Sequence, residues 1–176
     1  MDRLGFLGRR LRMPSLLCAL AVAALVATGS AGANAEATPF TGTFAGTISG
    51  SPCGPLTICL EGTLAGVATH LGRSTLEKEA VVHITFAPCP GGIEVSYTQT
   101  VTLTAANGDT LELVGDGVAC SGGGSSIGGG DLAVTGGTGR FQDARGSLSE
   151  RFVHDLASGV ELSELNGTIS AAGAKP

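Results

Sequence analysis

Four polar residues, Tyr97, Gln99, Glu150 and His154, stand where they could act on a bound molecule. Glu150 and His154 share alternate-residue parity with Leu148 and Phe152. An extended segment that buries the two apolar residues therefore turns the carboxylate and the imidazole inward as well. A carboxylate near an imidazole in an apolar interior is the equipment of general acid-base chemistry on an apolar substrate, with Tyr97 and Gln99 placed to orient it. The competing arrangement leaves Glu150 and His154 at a rim, solvated or paired with Arg151 or Arg145. A single bulge, for which Gly146 offers a place, would reverse the parity and decide between the two.

Other chemistries find less support. His70, His83 and His154 lie in separate segments without a close pair, and His83 alternates outward beside Val81 and Thr85, so no metal site is expected. No Gly-x-Ser-x-Gly elbow occurs, and no segment after residue 35 has the helical stripe such a site uses. The run Gly136-Gly137-Thr138-Gly139-Arg140-Phe141 lacks the Lys-Ser/Thr ending of a phosphate-binding loop. Its glycines instead permit a tight reversal, with Phe141 plugging an interior and Arg140 pairing with a carboxylate such as Asp143. Asn166-Gly167-Thr168 has the form of a glycosylation sequon. No cofactor is implied.

Those side chains must be positioned by strands. Val95, Tyr97, Gln99, Val101 and Leu103 alternate with Ser96, Thr98, Thr100, Thr102 and Thr104, the period of two of a half-buried strand. Similar alternation predicts eight strands near residues 40–49, 58–68, 73–86, 94–105, 110–119, 127–135, 144–155 and 161–171. Turn signals separate them, Pro90-Gly91-Gly92 and Asn107-Gly108-Asp109 among them. The clusters Gly122 to Gly124 and Gly128 to Gly130 read as a flexible surface loop. Glycines inside the strands, such as Gly46, Gly62, Gly115, Gly117 and Gly167, cost stability unless bends require them, and small barrels require bends. The expected fold is all-β, an eight-stranded antiparallel closed barrel.

The N-terminal residues read as an export signal. Arg3, Arg9, Arg10 and Arg12 precede the apolar run 16–27 and the small residues Ala33-Asn34-Ala35, so residues 1–35 are expected to be removed as a signal peptide, leaving 36–176 as one secreted domain. The apolar run falls short of the roughly 20 residues of a membrane span, and Leu17 before Cys18 does not suit lipid attachment, so no membrane anchor is expected after cleavage. Arg9-Arg10 allows a twin-arginine reading, which the surrounding residues fit poorly. The expected mature chain carries six basic against fourteen acidic residues, a net charge of −8 without a basic cluster, which argues against nucleic acid as a partner. It keeps Cys53, Cys59, Cys89 and Cys120, an even number in an exported chain, and disulfides follow. Of three possible pairings, Cys53 with Cys59 and Cys89 with Cys120 place each cysteine beside a strand end. A zinc site built from all four lacks the two-residue spacing of a zinc knuckle.

The segment Val134-Thr135-Gly136-Gly137-Thr138-Gly139-Arg140-Phe141, followed by Ala144-Arg145-Gly146, resembles the strand-turn-strand signature of dirigent proteins and the allene oxide cyclase barrel. The segments Ala68 to Arg73 and Ala106 to Asp109 look like patterns of uncharacterised secreted bacterial members of that superfamily. The resemblance implies an eight-stranded antiparallel barrel over residues 40 to 171; it does not carry over the plant activities, since one fold hosts many functions.

Three functions remain open from the residues: a binding module for a small hydrophobic molecule, a structural or interaction protein filled by its own side chains, and a cyclase or isomerase acting on an apolar substrate. The first two are preferred over catalysis resting on Glu150 and His154. An eight-stranded barrel can either fill itself or hold one small ligand. A cavity below about 300 Å³ would favour the filled barrel.

Overall fold

The computed structural model describes residues 36–170, and the expected signal peptide lies outside them. Eight strands follow one another: β1 Ala37–Gly54, β2 Thr57–Ala68, β3 Gly72–Cys89, β4 Gly92–Ala105, β5 Thr110–Gly122, β6 Ser125–Gly137, β7 Gly146–Asp155 and β8 Val160–Ser170. Each pairs antiparallel with the next, and β1 also pairs with β8 from Ala37↔Ser170 to Thr47↔Val160, so the sheet closes into a ring without a free edge. All eight expected strands are present, several extended at their ends.

Two expectations about loops are corrected. Gly128 to Gly130 are ladder residues of β6, facing Ala119 to Gly117 of β5 and Phe152 to Glu150 of β7. The absent side chains let these backbones approach closely. Only Gly123 and Gly124 form the turn, both at positive φ, as a two-residue hairpin loop requires. Arg140 pairs with Asp109 at 3.5 Å rather than with Asp143, because the turn at Gly139–Phe141 leans on the β4–β5 connection. Phe141 does enter the interior as expected.

Alternation along the strands divides inside from outside, and the inside has two unlike halves. At the end bearing the β2–β3, β4–β5 and β6–β7 connections, Phe40, Phe44, Leu76, Leu103, Leu111, Leu132, Phe141, Leu148, Leu165 and Ile169 form one apolar core. The other end, the hairpin end, carries the β1–β2, β3–β4, β5–β6 and β7–β8 connections. Both disulfides brace that end. Cys53–Cys59 staples the β1–β2 hairpin with Cα atoms 5.7 Å apart, and Cys89–Cys120 ties the end of β3 to β5 at 5.8 Å. The pairing is the one the strand ends suggested. Two disulfides fit an oxidising, extracellular type of environment. Among the described residues no helix is long and apolar enough to cross a membrane.

Candidate functional site

The four polar residues singled out by parity all lie inside the ring: Glu150 is 1% exposed, Tyr97 and Gln99 5%, His154 8%. Register shifts occur in β1 at Pro52/Gly54, in β3 at Ile84/Pro88 and between β5 and β6 at Glu112/Leu113, where Thr135 of β6 is the extra residue; none is in β7, so the parity that turns Glu150 and His154 inward is preserved. The rim arrangement with Arg145 or Arg151 is not what the chain adopts.

Three further residues, which parity reasoning had passed over, complete the group. Lys78 of β3 donates from Nζ to Glu150 Oε1 at 2.7 Å and to Glu161 Oε1 at 2.6 Å. Gln99 Nε2 donates to Glu150 Oε2 at 2.6 Å, and Ser163 Oγ donates to Glu150 Oε1 at 2.8 Å. Glu150 thus accepts three hydrogen bonds, which is how a buried carboxylate is kept from being an unpaired charge. Burial alone would lower the Lys78 ammonium, but the carboxylates of Glu150 and Glu161 outweigh it and hold it above its ordinary value. Burial raises the Glu161 carboxyl, with Lys78 opposing. Lys78 also lies 4.9 Å from the centroid of the Phe152 ring, which stacks edge-on to Tyr97 at 5.7 Å.

His154 lies directly across the β7–β8 ladder from Glu161, and no hydrogen bond joins it to Glu150. Glu150 and His154 share the interior without forming a hydrogen-bonded acid-base pair. The other two histidines are elsewhere: His70 in the β2–β3 turn with Nε2 3.1 Å from the Pro39 carbonyl, and His83 on the outer face of β3.

Between this polar group and the hairpin end is a cavity of about 150 Å³. Ile58, Leu60, Val82, Ile84, Val95 and Leu156 form its apolar walls, and Lys78, Tyr97, Gln99, His154 and Glu161 its polar part. Space exists here because interior positions of β5 and β6 carry little side chain. The Tyr97 ring occupies part of it, lying over Gly117, where an added Cβ would stand 2.5 Å from the phenolic oxygen. That oxygen is the one fully buried side-chain N or O atom without a hydrogen-bond partner among the described residues. Burial, with Glu150 and Glu161 nearby, raises the phenol far above its ordinary value, so it keeps its proton. A buried hydroxyl left unpaired costs about 1–3 kcal/mol.

No protein-family model matches the sequence, and no curated protein is significantly similar to it.

Proposed function

We propose that this domain is a secreted, non-catalytic binding barrel of the allene oxide cyclase/dirigent-like kind, whose hairpin end admits one small, largely apolar molecule. The observation that carries the reading is the apolar-walled cavity at the hairpin end, with Lys78, Gln99, His154 and Glu161 on its polar side. A ligand with a single polar atom would turn that atom to the polar side and its body to the apolar walls. The volume sets the size: about 150 Å³ is the space in which a dry protein cavity holds a benzene ring. An extended polyene does not fit, which speaks against the cyclase alternative. So does Glu150, whose lone pairs are engaged by an ammonium, an amide and a hydroxyl, a poor state for a general base.

One observation favours a second reading, the barrel filled by its own side chains: the cavity is smaller than the usual ligand pocket of about 300 Å³ or more. A titration with benzyl alcohol separates the two. Tyr97 is the single tyrosine of a chain without tryptophan, so its fluorescence reports the cavity directly. Saturable change in that fluorescence, abolished by Ala80→Leu in the cavity wall, is the expected result. No change up to the solubility of the probe would favour the filled barrel.

A further inference from the structure

Resting on the binding reading, we infer that the ligand is a small organic cation, a protonated amine on a ring-sized apolar body. Two carboxylates, Glu150 and Glu161, share one ammonium, Lys78, in the same buried group. With both carboxylates ionised the group has one negative charge more than its cation can balance. A buried charge without a counter-charge is costly, so the site is completed either by a proton or by a second cation.

The position of that second cation follows from the hydrogen bonds. Glu150 is spent, with both oxygens occupied by Lys78, Gln99 and Ser163. Glu161 meets Lys78 through Oε1 and is itself part of the cavity wall. An ammonium entering from the hairpin end meets the Glu161 carboxylate, which Lys78 engages through Oε1, and its body lies against Ile84, Val95 and Leu156. The faces of Tyr97 and Phe152 favour a cation over an anion for the same electrostatic reason that seats Lys78 beside Phe152.

The charged and titratable groups facing this space are Lys78 from β3, Tyr97 from β4, His154 from β7 and Glu161 from β8, with Glu150 beneath. A protonated His154 would itself supply the missing charge, so the test is made at pH 8, where imidazoles are ordinarily neutral. Three probes of one size decide it: benzylamine, benzyl alcohol and benzoate, titrated into the disulfide-bonded protein and followed by Tyr97 fluorescence and calorimetry. Benzylamine is expected to bind at least about tenfold more tightly than benzyl alcohol, and benzoate more weakly than either. Glu161→Gln should abolish the amine's tenfold advantage, so that benzylamine and benzyl alcohol bind about equally. Alcohol binding equal to or tighter than amine binding would overturn the cation and leave the binding barrel standing. If none of the three binds, the barrel reading falls and the cation with it. Should Glu161→Gln fail to fold, the ranking of the three probes on the unaltered protein still decides.

Discussion

The two ends of the ring are stabilised by different means. One is packed with Phe, Leu and Ile side chains and has three connections, one of which folds inward to add Phe141. The other has thinner apolar walls, a cavity, a buried charge group and both disulfides. Dispersion and hydrophobic burial hold the first end together without covalent help. The second cannot close on itself in the same way because its interior is partly given to polar groups, and two staples restrict the hairpins that surround it. The cavity and the disulfides therefore belong together: the end that keeps a cavity is the end with covalent bracing.

The largest test of this contrast compares one truncation at each end. Leu132→Ala in the filled end should cost about 2–5 kcal/mol by leaving a void. Lys78→Ala should cost a similar amount, about 3–5 kcal/mol, for a different reason, since it strands the Glu150 and Glu161 carboxylates in the interior. Denaturant unfolding measures both. Replacing Lys78 by Met and Glu150 and Glu161 by Leu together should recover most of the second loss, whereas no polar change rescues Leu132→Ala. A triple variant as unstable as Lys78→Ala would show that the charge group is structurally required, not tolerated for a ligand.

The disulfides come next. By loop-closure entropy, Cys89–Cys120, spanning 31 residues, contributes about 4 kcal/mol and Cys53–Cys59, spanning 6, about 2 kcal/mol. The double variants Cys89→Ala/Cys120→Ala and Cys53→Ala/Cys59→Ala should lose stability in that order in thermal unfolding. Hydrogen exchange should rise first in the β3–β4 and β5–β6 hairpins, with Leu103, Leu111 and Leu132 keeping their protection. Uniform loss of protection across both ends would contradict a division of labour between them.

The strand plan was legible because outward threonines and inward aliphatics alternate cleanly along β4, and the same parity located Tyr97, Gln99, Glu150 and His154. Lys78, Glu161 and Ser163 were missed for physical reasons. Lys78 stands between Glu77 and Glu79, so locally it reads as a solvated charge; its phase with Leu76 and Ala80 was the signal that it points inward. In β8 the pattern is inverted by apolar residues on the outside: Leu162 is 56% exposed while Glu161 and Ser163 are buried. Hydrophobicity alone assigns that strand the wrong face at its start, and only continuity with Leu165 and Ile169 corrects it. The glycines at 128–130 misled in the opposite sense, since composition suggests a loose loop where neighbouring backbones require the absence of side chains.

Alkaline titration sharpens the comparison further, because Tyr97 and Lys78 both lie at the cavity end. Tyr97 and Lys78 are both raised, so above pH 10 the unfolded chain releases protons that the folded chain retains. Stability is then full below the ordinary values of these groups and falls as pH rises beyond them. Absorbance of the single tyrosine should show no ionisation at pH 11 while the fold persists, then a steep step coincident with unfolding. A gradual titration centred near 10 would mean that the phenol is open to water and would remove the unpaired hydroxyl from the argument.

The smallest expected effect lies at the filled end, in the Gly136 to Phe141 turn. Arg140 meets Asp109 at 3.5 Å with its side chain partly in solvent, and surface ion pairs of this kind contribute at most about 1 kcal/mol. Arg140→Ala should therefore shift thermal unfolding by no more than a few degrees. Its neighbour Gly139 differs: it has φ of 56°, and a side chain there would meet the Asp109 carboxylate. Gly139→Ala should cost about 1–3 kcal/mol through backbone strain and that collision together. The two substitutions test whether this turn acts through its backbone or its charge. If Arg140→Ala proved the more damaging, the guanidinium would have to hold Phe141 in the core, and the filled end would depend on a surface ion pair as the other end depends on its disulfides.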